Sequence, residues 1–342
     1  MHCTLLVPGL LPPSDPDGAP ISDLPVPALT RLLARGRCVT LAALGMEAWL
    51  CQAFEVERQH DWPVAPLTLA ADGGDPGNAY WLRCDPVHLN TQRGQLVLAC
   101  DNTSAPTADE ARTLSATLNA HFAQDGLTFH SPHPARWYLR LEHTPALITH
   151  ALPEVAGKDI NRYLPEGNDG LHWHQVLNEI QMLLHAHPVN RAREARGAPE
   201  INSVWLWGGG VRPAVRGGHF TSVWSDDALA LALAAQSNLA ARAPPGHASS
   251  VLDDAAGGAE KPLVVLPQLR AATLDGAADR WITLLNTFER DWFAPLYAAL
   301  RKRQLSALTL VVPGANDCRR YDIAPRDVWK FWRPLHSLEH HA

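Results

Sequence analysis

No apolar run in the 342 residues is long enough to cross a bilayer, which excludes a transmembrane helix. The opening, MHCTLLVPGLLPP, has neither the basic stretch nor the small-residue cleavage site of a secretory leader. No CxxC is present. Cys3, Cys38, Cys51, Cys84, Cys100 and Cys318 stand singly, which argues against a zinc or disulfide framework and for reduced, mostly buried thiols. There is no GxSxG, no glycine-rich turn ending in GK[ST] and no GxGxxG. The hydrolase elbow, the P-loop and the dinucleotide fingerprint are thereby removed. Neither an internal repeat nor a coiled-coil heptad pattern is found. The expectation is a soluble, cytoplasmic protein.

What is present is a globular composition. Hydrophobic residues make up 46% and charged residues 19%, enough apolar side chain to fill a core rather than leave the chain disordered. The length suits one large domain or two ordinary ones. The net charge of -6 repels nucleic acid and anionic membranes, so neither is expected as a partner unless a local basic patch overrides the global field.

Apolar spacing predicts a buried strand at CTLLV, helices over Leu29–Leu33 and Met46–Phe54, and a Pro/Gly/Asp-rich boundary from Asp61 to Gly77. Strands are expected at Tyr80–Arg83, Gln95–Ala99 and Arg136–Leu141, with a helix from Ala108 to Phe122. After a second loop-rich stretch, Ala156–Gly170, the pattern becomes strongly α/β. A helix is expected over 171–187, then the strand NSVWLWGGG, then Phe220–Trp224 and a helix capped by Ser225. Loop composition fills 243–260. PLVVLP, a helical region over Ala277–Arg303 and ALTLVVPG follow. Short apolar strands alternating with helices imply an α/β fold, a largely parallel sheet covered on both faces. The middle region reads as an insertion, giving a core of 1–62 and 165–342 with a smaller α+β domain at 63–164.

Three features carry potential chemistry. On the 171–187 helix, His174, Asn178, Gln181 and His185 form a polar, uncharged stripe, either a solvated face or the lining of a pocket or interface. Its histidine pairs lack a third ligand for a metal. Arg191, Arg193 and Arg196 then crowd one short segment, as an exposed helical turn or as forks for a carboxylate or phosphate. Gly208, Gly209 and Gly210 end the Trp-rich strand just before Arg212 and Arg216. Either they form a turn that lets Trp205 and Trp207 pack, or their backbone N–H groups hold an anion.

The blocks NEIQMLLHAHPVNRAREARG, INSVWLWGGGVRP and GNAYWLRCDPVHL resemble the regulatory proteins of the Rpf E type (regulation of pathogenicity factors), described as phosphoglycerate-mutase-like. That group is in turn similar to the archaeal-type cofactor-independent phosphoglycerate mutases of the alkaline phosphatase superfamily. The resemblance implies an alkaline-phosphatase-like parallel sheet core with an inserted smaller domain. It also implies two metal ions held by Asp and His at the carboxyl ends of core strands, and a serine that accepts the phosphoryl group. This chain departs from that pattern. Its strands exit through Pro8, Pro267 and Pro313, and proline offers no ligand atom. Asp15, Asp17, Asp275 and Asp317 stand near these exits without a histidine.

The reading is a catalytically degenerate, regulatory, phosphoglycerate-mutase-like protein with no cofactor, no metal and no catalytic residue. It would bind a small phosphorylated metabolite or a protein partner. The binding residues expected from the resemblance are Arg83, Asp85, Asn190, Arg193, Asn202, Gly208, Gly209, Gly210 and Arg212. Two alternatives stay open: an active metal-dependent mutase or phosphatase with displaced ligands, and a pure interaction module in which twelve tryptophans supply contact surface. The three strand exits are expected to lie side by side.

Overall fold

A computed structural model describes every residue except 13–23, 43–44, 93, 100–104, 255–259, 275–276, 315–316 and 342. Asp15, Asp17, Asp275 and Cys100 lie outside the described residues. The chain divides into two compact units, Met1–Glu55 with Val215–Ala342, and Val56–Ala214.

In chain order the elements are β1 (His2–Leu6), α1 (Pro27–Arg35), β2 (Arg37–Leu41), α2 (Met46–Ala53), α3 (Val64–Ala71) and β3 (Tyr80–Val87). Next come β4 (Leu89–Gln92), β5 (Gln95–Leu98), α4 (Ala108–His121), β6 (Thr128–His133), β7 (Arg136–Leu141), α5 (Leu152–Val155), α6 (Gly170–His185) and α7 (Pro188–Ala195). Then follow β8 (Ser203–Gly210), β9 (Ser222–Trp224), α8 (Ala228–Gln236), β10 (Ala240–Arg242), α9 (Ala248–Asp254) and β11 (Pro262–Val265). The last are α10 (Gln268–Leu274), α11 (Ala278–Phe288), α12 (Ala294–Arg301), β12 (Ala307–Pro313) and β13 (Cys318–Ile323).

The first unit is a seven-stranded sheet in the order β10-β9-β11-β1-β12-β13-β2. Strands β10, β9, β11, β1 and β12 run parallel, and β13 and β2 close one side antiparallel. The parallel strands β1, β11 and β12 are almost wholly buried, as a sheet covered on both faces requires. Leu5, Val264, Leu308 and Leu310 meet Leu29, Leu32, Trp281, Phe288 and Phe293 from the helices in one apolar cluster. Helix α1 enters that cluster with its first N–H groups satisfied from a distance. The backbone N–H groups of Ala28 and Leu29 donate to the Glu289 carboxylate at 2.7 and 3.0 Å, which supplies the missing cap.

The second unit is a four-stranded sheet in the order β6-β7-β3-β8, every described pairing antiparallel, beside the hairpin β4-β5. Helices α4 and α6 cover one face through Leu114, Leu118, Trp173, Leu177 and Ile180. Helix α3 lies on the other face over Trp81 and Tyr138. Helix α4 begins with a capping box, Thr107 and Glu110 bonding each other's backbone.

Several expectations are corrected here. Residues 165–214, expected in the core sheet, belong to the second unit, because β8 pairs with β3 and not with the parallel strands. The Pro/Gly/Asp-rich boundary at 61–77 contains α3, and the 243–260 loop contains α9. Ser225 does not cap α8. Asp227 does, accepting from the Ala230 N–H at 2.9 Å, while the Ser225 hydroxyl accepts from the Asp227 N–H. Of the five described cysteines, all but Cys38 are buried.

Burial sets a pH dependence. The imidazoles of His2, His130, His133, His187 and His341 are held below their usual range, His341 at about 4, because burial disfavours the imidazolium. In the unfolded chain they titrate near 6.5. The unfolded state therefore takes up protons first as pH falls, so the stability is complete above that value and is lost between it and the lower folded values. Asp61 and Asp227, whose carboxyls burial raises, act in the opposite sense nearer to about pH 4. Thermal unfolding at about pH 7.5 and at about pH 5 checks this, with a midpoint several degrees lower expected at the acid value. An unchanged midpoint would show that these rings titrate freely.

Candidate functional site

The three strand exits lie on adjacent strands, β11, β1 and β12, so Pro8, Pro267 and Pro313 end neighbouring strands at the carboxyl edge of the sheet. In an open parallel sheet this edge is where a ligand crevice forms. At the β1 exit it is filled by the protein itself. Gly9, with φ +76°, brings its carbonyl to the Trp281 indole N–H at 2.7 Å and to the Thr273 hydroxyl at 3.3 Å. A Cβ on Gly9 would stand 2.8 Å from the Arg270 backbone, so α10 sits directly on the β1 exit. Strand β12 pairs antiparallel with β13, and the Gly314 N–H donates to the Asp317 carbonyl at 2.8 Å.

Among the described residues, three carboxylates of this unit are already committed. Glu47 on α2 takes both guanidinium nitrogens of Arg270 at 2.8 and 3.1 Å. Asp227 caps α8, and its carboxyl is pushed up by burial, with Glu47 adding to the rise and Arg270 opposing it. Asp317 accepts from Arg319 at 2.9 Å. The metal pair that the resemblance implies needs several carboxylate and imidazole lone pairs aimed at shared points. These groups are instead aimed at a guanidinium and a helix start, and among the described residues no group of three or more His, Cys, Asp or Glu is placed to hold a metal ion. The described residues do not fit the metals.

In the second unit, Arg83 and Asp85 alternate with Cys84 on β3 and so share one face of the strand. The Arg83 guanidinium meets Asp85 through three N–H···O contacts of 2.7–3.0 Å. Its plane lies near the rings of Trp207, 5.0 Å from the centroid, and Tyr138, at 5.4 Å. Asp85 also accepts from the Trp207 indole N–H at 2.8 Å and from the Trp137 backbone N–H at 3.3 Å. Burial opposes the Arg83 charge, but the Asp85 carboxylate outweighs it and holds the guanidinium above its ordinary value. Arg83 is 6% and Asp85 1% exposed, so neither offers a free face to a ligand.

The three glycines sit beside this pair. Across β3 and β8 the register passes from Trp81–Gly210 to Arg83–Trp207, which places one extra residue on β8. This is a β-bulge, and Gly208, at φ +64°, supplies the left-handed residue it uses. A Cβ would stand 2.9 Å from the Val64 Cβ at Gly208, 2.4 Å from the Tyr80 hydroxyl at Gly209, and 2.6 Å from the Pro63 Cβ at Gly210. The Gln59 side-chain amide then clamps Val211, accepting its N–H at 3.0 Å and donating to its carbonyl at 2.9 Å. The close approach expected for an anion is therefore used by α3 and Tyr80. That corrects the mechanism assigned to Gly208, Gly209 and Gly210.

Asn190, Arg193 and Asn202 lie at the other end of β8, roughly 23 Å away for the seven residues from Asn202 to Gly209. The buried Asn190 amide donates to the carbonyls of Leu184 and Ile201 and accepts the Ile201 N–H, at 2.7–2.9 Å, tying α6 to β8. Arg193 reaches the Pro199 carbonyl at 2.7 Å and Glu110 at 2.8 Å. Burial raises the Glu110 carboxyl, but the Thr107 N–H, Arg196 and Arg193 together bring it below the usual range. The Asn202 amide pairs with both backbone groups of Leu89 at 2.8 Å. Arg212 is exposed, without an ion pair among the described residues. The nine expected residues thus form two structural clusters and one surface cation, not one site. On α6, His174 bonds the Pro165 carbonyl and Gln181 approaches Ser203, while Asn178 and His185 face outward.

Sequence reasoning missed the Glu47–Arg270 pair, whose 223-residue separation leaves no local signal. It also passed over the aromatic run WKFW near the end of the chain, which its composition alone could have flagged.

Comparisons with known proteins agree with the fold and narrow the sequence likeness. A family model for 2,3-bisphosphoglycerate-independent phosphoglycerate mutase matches residues 75–190, all within the second unit. The Methanosarcina barkeri enzyme of that name is 32% identical over 109 residues, 31% of this chain and 27% of the relative. A probable enzyme of that name from Geobacter sulfurreducens is 27% identical over 157 residues, 45% of this chain and 39% of the relative. The match thus spans between about a quarter and two fifths of these relatives' length. Among solved structures, a cofactor-independent phosphoglycerate mutase of Thermoplasma acidophilum covers 99% of this chain and 93% of its own, with a TM-score of 0.52 at 12% identity. A Pyrococcus horikoshii protein covers 94% and 87%, with a TM-score of 0.53 at 13% identity. At such identity the likeness is one of fold. The chain is a remote relative of the cofactor-independent phosphoglycerate mutases, by sequence through its second unit and by fold along nearly its whole length.

Proposed function

We propose that this chain is a catalytically degenerate, phosphoglycerate-mutase-like protein that acts in regulation, as the Rpf E resemblance implies. The observation that carries the reading is the commitment of the strand-edge carboxylates, with Glu47 forked onto Arg270 and Asp227 spent on the start of α8. A carboxylate bonded to a half-buried guanidinium must break that pair before it can serve a metal, and the cation it leaves behind is then uncompensated. The family-model match, residues 75–190, also leaves all three proline exits outside it. Of the two ligand classes the sequence left open, a macromolecular partner is favoured over a small phosphorylated metabolite. The glycine face that would receive an anion is filled by Val64, Pro63 and Tyr80.

The reading is tested by calorimetric titration of purified protein with Mn²⁺ and, separately, with 3-phosphoglycerate. No saturable heat is expected from either. Stoichiometric Mn²⁺ binding that Glu47→Ala or Asp227→Ala abolishes would overturn the degenerate reading. Saturable 3-phosphoglycerate binding would restore the metabolite.

A further inference from the structure

The segment after β13 carries four large apolar side chains in the open. Trp329 is 50%, Phe331 69%, Trp332 74% and Leu335 51% exposed. A contiguous apolar surface of this kind marks a site of contact. The three rings meet edge to face, Trp329 with Phe331 at 6.4 Å and 87°, Phe331 with Trp332 at 6.2 Å and 89°. They form a projecting ridge whose base is pinned. Arg333 donates to the carbonyls of Gly36 at 2.9 Å and Ala34 at 3.3 Å, and Lys330 pairs with Asp327 at 2.6 Å.

Positive charge stands beside the ridge. Arg301 at the end of α12 lies 5.6 Å from the Trp329 ring centroid, and the exposed Lys302 and Arg303 follow it. Arg326 and Arg37 are exposed beside the two pinning contacts. Two of the nearby acids are engaged locally, Asp327 by Lys330 and Asp322 by Arg320, and Glu339 is exposed. This is a basic rim on a chain of net charge -6.

We propose that this ridge docks on an anionic lipid surface, the rings and Leu335 entering the boundary between headgroups and acyl chains while the rim meets the lipid phosphates. Tryptophan beside arginine and lysine is the side-chain chemistry of the membrane interface. A fluid surface accepts a projecting ridge without needing a matching pocket. At physiological ionic strength charges beyond about 8 Å are screened, so the rim governs the encounter and the net charge of the chain does not. Nucleic acid fits less well, because successive bases stack on ring faces and these neighbouring rings stand perpendicular. A second copy meeting ridge to ridge would oppose two basic rims. The proposal is independent of whether the strand edge is catalytic, and it replaces the expectation that the global charge excludes membranes.

The test is co-sedimentation of the full chain with vesicles of phosphatidylcholine alone and of phosphatidylcholine containing about 30% phosphatidylglycerol. Binding is expected to the anionic vesicles, weakened by salt and at least about ten-fold lower on phosphatidylcholine alone. Trp332→Asp and Phe331→Asp should each lower anionic binding by about ten-fold with an unchanged circular dichroism spectrum, since both side chains lie outside the core. Wild type left in the supernatant with anionic vesicles, or variants that bind as well as wild type, would overturn the proposal. So would a light-scattering dimer abolished by Trp332→Asp, which would assign the ridge to self-contact.

Discussion

Replacing Arg83 by methionine is expected to cost about 3–5 kcal/mol of stability, because it strands the Asp85 carboxylate in the interior. Asp85 is 1% exposed, and Arg83 is its only cation among the described contacts. The Trp207 and Trp137 N–H groups would remain, but two neutral donors do not replace a bidentate guanidinium. Methionine keeps much of the apolar stem between Tyr138 and Trp207, so the loss reports the charge more than the packing. The double variant Arg83→Met with Asp85→Leu removes the uncompensated charge and should recover part of that loss, the residue being the unsatisfied Trp207 indole. Urea unfolding followed by tryptophan fluorescence measures both. A binding arginine would behave otherwise, with little change in stability and a large change in ligand affinity.

Gly209→Val is expected to be nearly as damaging. A Cβ at that position stands 2.4 Å from the Tyr80 hydroxyl and 2.7 Å from a Leu82 methyl, and valine adds two more carbons. Alanine should cost about 1–3 kcal/mol by overpacking and valine more. The cost for alanine should shrink in a Tyr80→Phe background, because the nearest obstructing atom is then gone. If both substitutions are silent in stability yet block binding of a phosphate compound, the glycines serve a ligand and the packing account fails.

Much of the fold was legible because its signals are local. The apolar runs of β1 and β12, the alternation of β7 and the stripe of α4 each declared their element within a few residues of its bounds. What was not legible depends on pairing across the chain. β8 is buried along its whole length, which reads as a central parallel strand, and only its pairing with β3 reveals a second sheet. β13 reads CRRYDI, and its charged residues hid a strand whose antiparallel partners are β12 and β2. The candidate residues were picked out because they are unusual polar or flexible side chains within apolar runs. That unusualness has a structural source here: Asn190, Arg193 and Asn202 satisfy backbone groups and Glu110, while Gly208 admits a helix.

The claim that the strand edge has given up phosphoryl transfer is tested most directly by following 3-phosphoglycerate by ³¹P NMR. The purified full chain would be incubated with it in the presence of Mn²⁺, Mg²⁺ or Zn²⁺. The account predicts no 2-phosphoglycerate and no inorganic phosphate above a protein-free control with any of the three metals. Metal-dependent conversion that disappears in Glu47→Ala or Asp227→Ala would contradict it.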